Sequence, residues 1–141
     1  MKLISLGIAL AVVVVVFGSN CGLRGQEREG KMKVYYFPIG AQTLTPVTSA
    51  NIEERGRHCE ISSAKDIHAI KSVLDSAKPS SQNFSDRAVR VKLVEASDTG
   101  DKLLALVEND GAVRFATGKE GMISSKSMET LKKVIDPQCS K

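Results

Sequence analysis

The chain has 141 residues, of which 42% are hydrophobic and 26% charged, and it contains no Trp. This ordinary balance excludes a disordered chain and, once the apolar N-terminus is set aside, a membrane-embedded one. The net charge of +4 is scattered, whereas nucleic-acid binding needs a concentrated stripe of Lys and Arg, so we expect no nucleic-acid partner.

The first 20 residues are typical of a secretory signal peptide. Met1-Lys2 is a short positive start, residues 3–17 are an almost unbroken apolar run, and small or polar residues follow up to Cys21. A transmembrane helix is the competing interpretation, but it needs about 20 apolar residues and this run has about 15. We therefore predict a signal peptide over residues 1–20 and export of the protein.

Two processing routes remain open. Gly18 suits the general signal peptidase, which reads small residues before the cut, whereas Cys21, directly after the apolar run, resembles the lipidated first residue of a bacterial lipoprotein. Residues 21–32 are mostly polar and predict a flexible tether. An exported chain with three Cys has an odd one, and a lipid on Cys21 leaves Cys59 and Cys139 as a pair. The lipoprotein resemblance implies a periplasmic protein, lipid-anchored to the outer membrane.

Residues 33–141 are predicted to form one α+β domain that begins with a strand. The aromatic run at residues 34–37 favours that strand, which Pro38 ends. Residues 41–57 are expected to be irregular, apart from a helical turn at residues 51–53 that Gly56 ends. Ser62 or Ser63 then caps a helix closed by Pro79. Its apolar residues follow three- and four-residue spacing: Ala64, Ile67, Ile70, Val73, Leu74 and Ala77.

The second half predicts three strands and a helix. Residues 88–95 alternate, with Val89, Val91 and Leu93 facing one way and Arg90 and Lys92 the other. Residues 103–108 form the next strand, and residues 109–111, Asn-Asp-Gly, turn the chain into a strand at 112–117. Ser124 or Ser125 caps the last helix, and Pro137 stops it.

These elements predict a two-layer architecture. Strands joined by tight turns are antiparallel neighbours. The sheet is expected to be antiparallel, a three-strand meander plus the N-terminal strand, with two helices covering one face and a polar opposite face.

Cys59 and Cys139 are predicted to form a disulfide, because export places the chain in an oxidising compartment. Cys59 lies just before the first long helix and Cys139 just after the second. A disulfide needs Cα atoms within about 7 Å, so it would set the two helices antiparallel and side by side. It closes a loop of about 80 residues, worth roughly 4.5 kcal/mol in the chain-entropy model.

The sequence carries no motif for catalysis, metal or cofactor binding. Cys59 with His68 as its base is a conceivable thiol site, which a disulfide would abolish. His58, Cys59 and His68 lack a fourth ligand at zinc spacing. We therefore predict no catalytic residue, no metal and no cofactor.

The candidate binding residues are Tyr35, Tyr36, Arg55, Arg57 and His58. Tyr and Arg are favoured at protein interfaces, and loops on a rigid scaffold often carry binding. The alternative is that the aromatic residues belong to the core and the segment after them is a long connector.

The layout of leader, tether and one disulfide-linked domain resembles small exported bacterial proteins that neutralise another protein in the envelope. Immunity proteins against secreted toxins and periplasmic lysozyme inhibitors are of this type. The resemblance implies a non-enzymatic protein that binds a toxin or hydrolase. Two other interpretations remain: a structural or assembly lipoprotein of an envelope complex, and a small exported thiol enzyme.

Overall fold

The computed structural model describes residues 30–140. The predicted signal peptide, the lipidation at Cys21 and most of the tether lie outside these residues. The elements follow in chain order as β1 (Lys31–Tyr36), α1 (Ile52–Arg55), β2 (Arg57–Ile61), α2 (Ala64–Asp75), β3 (Val89–Ser97), β4 (Gly100–Glu108), β5 (Ala112–Phe115), β6 (Glu120–Met122) and α3 (Ser125–Cys139). Among the described residues, every helix is too short or too polar to cross a membrane.

Within the described part of the chain, six strands form one antiparallel sheet in the order β2-β1-β3-β4-β5-β6. The α+β class is confirmed, but the prediction of four strands is wrong because β2 and β6 were missed. β2 has the sequence Arg-His-Cys-Glu-Ile, whose polar residues hide the alternation, and β6 is only three residues long with Gly121 at its centre. Both strands are stabilised by their neighbours rather than by their own composition.

β1 begins at Lys31, so its first two residues fall within the range predicted as tether. Met32 is buried and Lys31 exposed, which means that the strand alternation starts before the aromatic run. The helical turn expected at residues 51–53 is a four-residue helix, α1, so the described residues contain three helices and the prediction of two is wrong; the chain leaves α1 at Gly56. A Cβ at Gly56 would lie 2.7 Å from the carbonyl oxygen of Ile52, so only glycine fits this close turn into β2.

The caps of both long helices are confirmed, but their ends differ from the prediction. The hydroxyl of Ser63 accepts from the N–H of Asp66, and Ser124 caps α3 in the same way. α2 ends at Asp75, before Pro79, because the chain turns to bridge β6. α3 passes through Pro137 to Cys139, so the prediction that Pro137 stops the helix is wrong by two residues.

The two long helices lie antiparallel on one face of the sheet, as predicted. Near the end of α2, Ser76 Oγ is 3.2 Å from Ser127 Oγ at the start of α3. At the other end, Gln138 Nε2 donates to Asp66 Oδ2 at 2.7 Å. The main core fills the space between the helices and the strands; it includes Met32, Val34, Tyr36, Ile70, Leu93, Val107, Leu131 and Ile135.

The predicted disulfide joins Cys59 to Cys139, with Cα atoms 5.1 Å apart. Cys59 lies within β2, not in a connector before the helix as the sequence suggested. The bond therefore ties an outer strand of the sheet to the last residue of α3.

The face opposite the helices is not polar throughout, contrary to the prediction. A second buried cluster lies there, formed by Val47, Ile52, Phe84, Val89, Leu106 and Ala112. The pairing of β3 with β4 shifts register between Val89 and Val91, so these two valines belong to different clusters. Two irregular segments, residues 37–51 and 76–88, cover the half of the face where this second cluster lies.

The disulfide should make a large contribution to stability. Replacing both cysteines by Ala should lower the free energy of unfolding by about 4 kcal/mol, since the unfolded chain loses the constraint of a long closed loop. Urea denaturation of the wild type, with and without reductant, provides the comparison. The reduced wild type should unfold near the midpoint of the double variant, and equal midpoints for all three samples would contradict the prediction.

Tyr36 should make the fold sensitive to alkali. Burial, aided by the hydrogen bond that the hydroxyl donates to Asp136, raises the pKa of Tyr36 from 10.0 to about 12. The protonated phenol is favoured in the folded state, so its stabilisation is complete below pH 10 and is lost as the pH rises through about 12. An ultraviolet titration of the folded protein should show one late-ionising phenol that Tyr36→Phe removes. Persistence of that late phenol in the variant would contradict the assignment.

Candidate functional site

On the side opposite the helices, half of the sheet surface is covered by no segment among residues 30–140; this half is the candidate site, and we call it the open face. Strand alternation places on it side chains from β1, β2 and β3: Lys31, Lys33, Tyr35, His58, Glu60 and Lys92. Tyr35 is directly opposite His58 on β2 and Lys92 on β3. The open face is therefore centred on one tyrosine with a cross-strand neighbour on each side.

An aromatic stack lies at this centre. The rings of Tyr35 and His58 are 5.0 Å apart with an angle of 23° between their planes. The Lys92 ammonium lies 5.9 Å from the centroid of the Tyr35 ring and forms an ion pair with Glu53 of α1. The phenol ring is thus held between an imidazole and an ammonium group, each within the range of cross-strand and cation–π attraction.

Two further ion pairs lie beside the stack, toward the start of β1. Lys31 Nζ lies 2.8 Å from Glu60 Oε1, and Lys33 Nζ lies 2.7 Å from Asp101 Oδ2. The hydrogen bond from Lys31 lowers the pKa of Glu60, and the hydrogen bond to Asp101 raises the pKa of Lys33. Exposed pairs of this kind add little stability, so their main effect is to give the open face a charged border.

The structure brings together two of the five predicted binding residues. Tyr35 and His58 lie side by side on the open face, whereas Arg57 is exposed on the opposite side of β2. Arg55 donates to the carbonyl oxygens of residues 45 and 46, so it holds the irregular segment. Tyr36 is 2% exposed and belongs to the main core, as the alternative interpretation of the aromatic run expects.

Lys92 and Glu53 were missed as site residues. The sequence did indicate one part of this, because the alternation of β3 placed Lys92 on the polar side of its strand. Its contact with Tyr35 depends on β3 pairing with β1, and that pairing joins residues more than 50 positions apart. The position of Glu53 depends on how α1 packs against the sheet.

Glu108 holds the segment that borders the open face at residues 85–88. Glu108 is 2% exposed. It accepts hydrogen bonds from Ser85 Oγ at 2.5 Å, from the N–H groups of Ser85 and Arg87 at 3.0 and 3.1 Å, and from Ala88 N–H at 3.4 Å. A buried carboxylate that accepts this many hydrogen bonds holds the backbone of residues 85–88 in place.

Arg90 holds the other covering segment, residues 37–51, by a hydrogen bond to its backbone. Its guanidinium is 4% exposed, lies 5.3 Å from the Phe37 ring centroid and donates to the carbonyl of Ala41 at 2.9 Å. Burial, with a smaller contribution from Arg55, lowers the pKa of Arg90. Its Nε has no hydrogen-bond partner among the described residues.

The structure does not bring the candidate residues for catalysis and metal binding together. Cys59 is in the disulfide, and His68 is exposed on α2. The described residues contain no group of three or more His, Cys, Asp or Glu side chains that could hold a metal ion. A groove of about 420 Å³ lies between the end of α2 and β4–β5; its walls are largely apolar, with Leu104 and Phe115 among them, and Lys102 and Lys119 also line it.

Glu108→Gln should loosen the border of the open face. The amide keeps one acceptor oxygen but turns an NH₂ group toward backbone N–H donors, so the free energy of unfolding should fall by about 1–3 kcal/mol. Hydrogen exchange should accelerate at the amides of Ser85 and Arg87. Glu129→Gln, an exposed change on α3, is the control, and equal stability of the two variants would contradict this role.

The open face has to be interpreted from its own chemistry. The chain matches no protein-family model, no curated protein and no solved structure.

Proposed function

We propose that this protein is a non-enzymatic exported envelope protein that binds and neutralises a protein partner, a toxin or a hydrolase, through its open face. The observation that carries the proposal is the Tyr35–His58 stack, displayed on a regular sheet beside Lys92. Tyrosine is among the residues that contribute most to protein interfaces.

The stack suits recognition because it is held in place before a partner arrives. Tyr35 is constrained by His58 on one side and Lys92 on the other. A side chain that is already ordered loses less conformational entropy on binding. The phenol also offers a large apolar area with a polar tip, which is why tyrosine serves well at surfaces that are buried only on association.

The charges around the stack match the anatomy of a protein interface. An apolar or aromatic centre surrounded by a polar border is the usual arrangement. Here the border consists of the pairs Lys31–Glu60 and Lys33–Asp101. Charged borders select a partner and steer its approach more than they add affinity. A rigid surface of this kind is sufficient for an inhibitor, which needs to cover its target and performs no reaction.

The proposed location is the periplasm, with a lipid on Cys21 holding the domain to the outer membrane. The location rests on the apolar leader and the Cys that follows it. The disulfide within the domain supports an oxidising compartment.

Tyr35→Ala should weaken partner binding strongly without unfolding the domain. An affinity-tagged copy is cross-linked in its native envelope, and the captured proteins are identified. The variant should capture at least about tenfold less of the partner, because truncating a central aromatic residue of an interface costs about 2 kcal/mol or more. Lys126→Ala, an exposed change at the start of α3 on the helix side, should capture as much as the wild type.

The captured protein tests the neutralising function. One dominant toxin or hydrolase whose activity is suppressed by the purified protein would support it. Capture of several resident envelope components, with no activity changed, would contradict neutralisation and favour the assembly role. Equal capture by Tyr35→Ala and the wild type would contradict the open face as the binding surface.

A further inference from the structure

β2 is the open edge of the sheet. Among the described residues it pairs only with β1, so the N–H and C=O groups on its outer side have no backbone partner. The other edge is closed, because Lys78 exchanges two backbone hydrogen bonds with Met122 of β6. A free strand edge is a ready template for pairing with another chain.

β2 is also rigid and accessible. The disulfide at Cys59 attaches its centre to α3, and all five of its residues pair with β1. Arg57, His58 and Glu60 are exposed. A preordered strand loses little entropy when it acquires a second neighbour.

The charges on β2 are complementary to a second copy of the same strand. In an antiparallel pair centred on Cys59, all five residues find a partner, and His58 lies opposite Glu60 of the other copy twice. A shift of two residues in either direction places His58 opposite His58 or Glu60 opposite Glu60. An imidazole can donate a hydrogen bond to a carboxylate opposite it, whereas two carboxylates opposite each other repel and two imidazoles lose this acceptor, so the centred register is the favoured one.

We propose that two copies of this protein associate through β2, with a twofold axis at Cys59 that joins their sheets into one continuous sheet. Charged residues on an edge strand commonly prevent unwanted pairing. Here the same residues disfavour pairing with an unrelated strand but allow pairing with a second copy of β2. Their order along the strand places His58 opposite Glu60 of the other copy. Either protonation state of His58 supplies an N–H donor for the Glu60 carboxylate of the other copy.

The pairing has a geometric consequence for the open face. A twofold axis perpendicular to the sheet keeps both open faces on the same side, and both helix layers on the other. The two His58 rings then lie within the new strand pair, and the two Tyr35 rings lie on the strands on either side of it. The inference rests on the β2 edge alone and does not require the proposed function.

His58→Glu tests the register, because it places a second carboxylate opposite Glu60 of the other copy at both symmetry-related positions. Sedimentation equilibrium of the full chain should show a monomer–dimer equilibrium for the wild type. The dissociation constant of the variant should rise about tenfold, since two cross-strand pairs change from attraction to repulsion. His68→Glu, the same change at an exposed position of α2, is the matched control and should leave the equilibrium unchanged.

The double variant His58→Glu with Glu60→Lys restores the complementary order with the signs reversed, so it should recover dimerisation. Recovery cannot arise from misfolding, and circular dichroism of each variant checks the fold. A wild type that stays monomeric at the highest concentration reached would overturn the proposal. So would an unchanged equilibrium in His58→Glu, or a folded double variant that dimerises no better than the single one.

Discussion

The bond between Cys59 and Cys139 connects the two layers of the domain at an edge of the sheet. β2 lies at an edge, so β1 is its only neighbouring strand within the described residues. The disulfide adds an attachment to the last residue of α3. His58 is next to Cys59 in the same strand, and the pairing of β2 with β1 places its imidazole opposite Tyr35. The stack and the free strand edge both depend on β2 being held there.

The two faces of the sheet are covered by different means. The helix side is closed by apolar side chains that interdigitate, which requires only burial of a hydrophobic surface. The opposite side is half closed by irregular segments, whose backbone groups need hydrogen-bond partners that strands and helices would otherwise supply. Glu108 and Arg90 provide these partners from within the sheet. Two buried charged residues in a small domain are thus explained by the polar backbone that lies over them.

The two proposals share two residues of the same strand. Recognition of a partner uses Tyr35, His58 and the charged residues around them, whereas self-association uses the backbone of β2 with the side chains of His58 and Glu60. They are compatible because Tyr35 and Lys92 lie on β1 and β3, outside the new strand pair. A dimer would present two open faces on one side, and a partner with two matching sites would gain from the raised effective concentration.

The sequence alone determined what depends on neighbouring residues. The caps at Ser63 and Ser124, the turn at residues 109–111 and the apolar stripe of α2 were predicted because each is a local interaction. The count of three cysteines, with export predicted from the apolar leader, led to the correct pair. These features were sufficient for the α+β class and for antiparallel helices.

Tertiary structure decided the rest. β2 and β6 are strands because β1 and β5 offer them hydrogen bonds, which no local pattern records. Tyr35 and Tyr36 must face opposite sides of a strand, but packing of the helices decided that Tyr36 is buried and Tyr35 belongs to the site. Lys92 contacts Tyr35 because β3 pairs with β1. Which strands become neighbours depends on burial of the whole core rather than on any one segment.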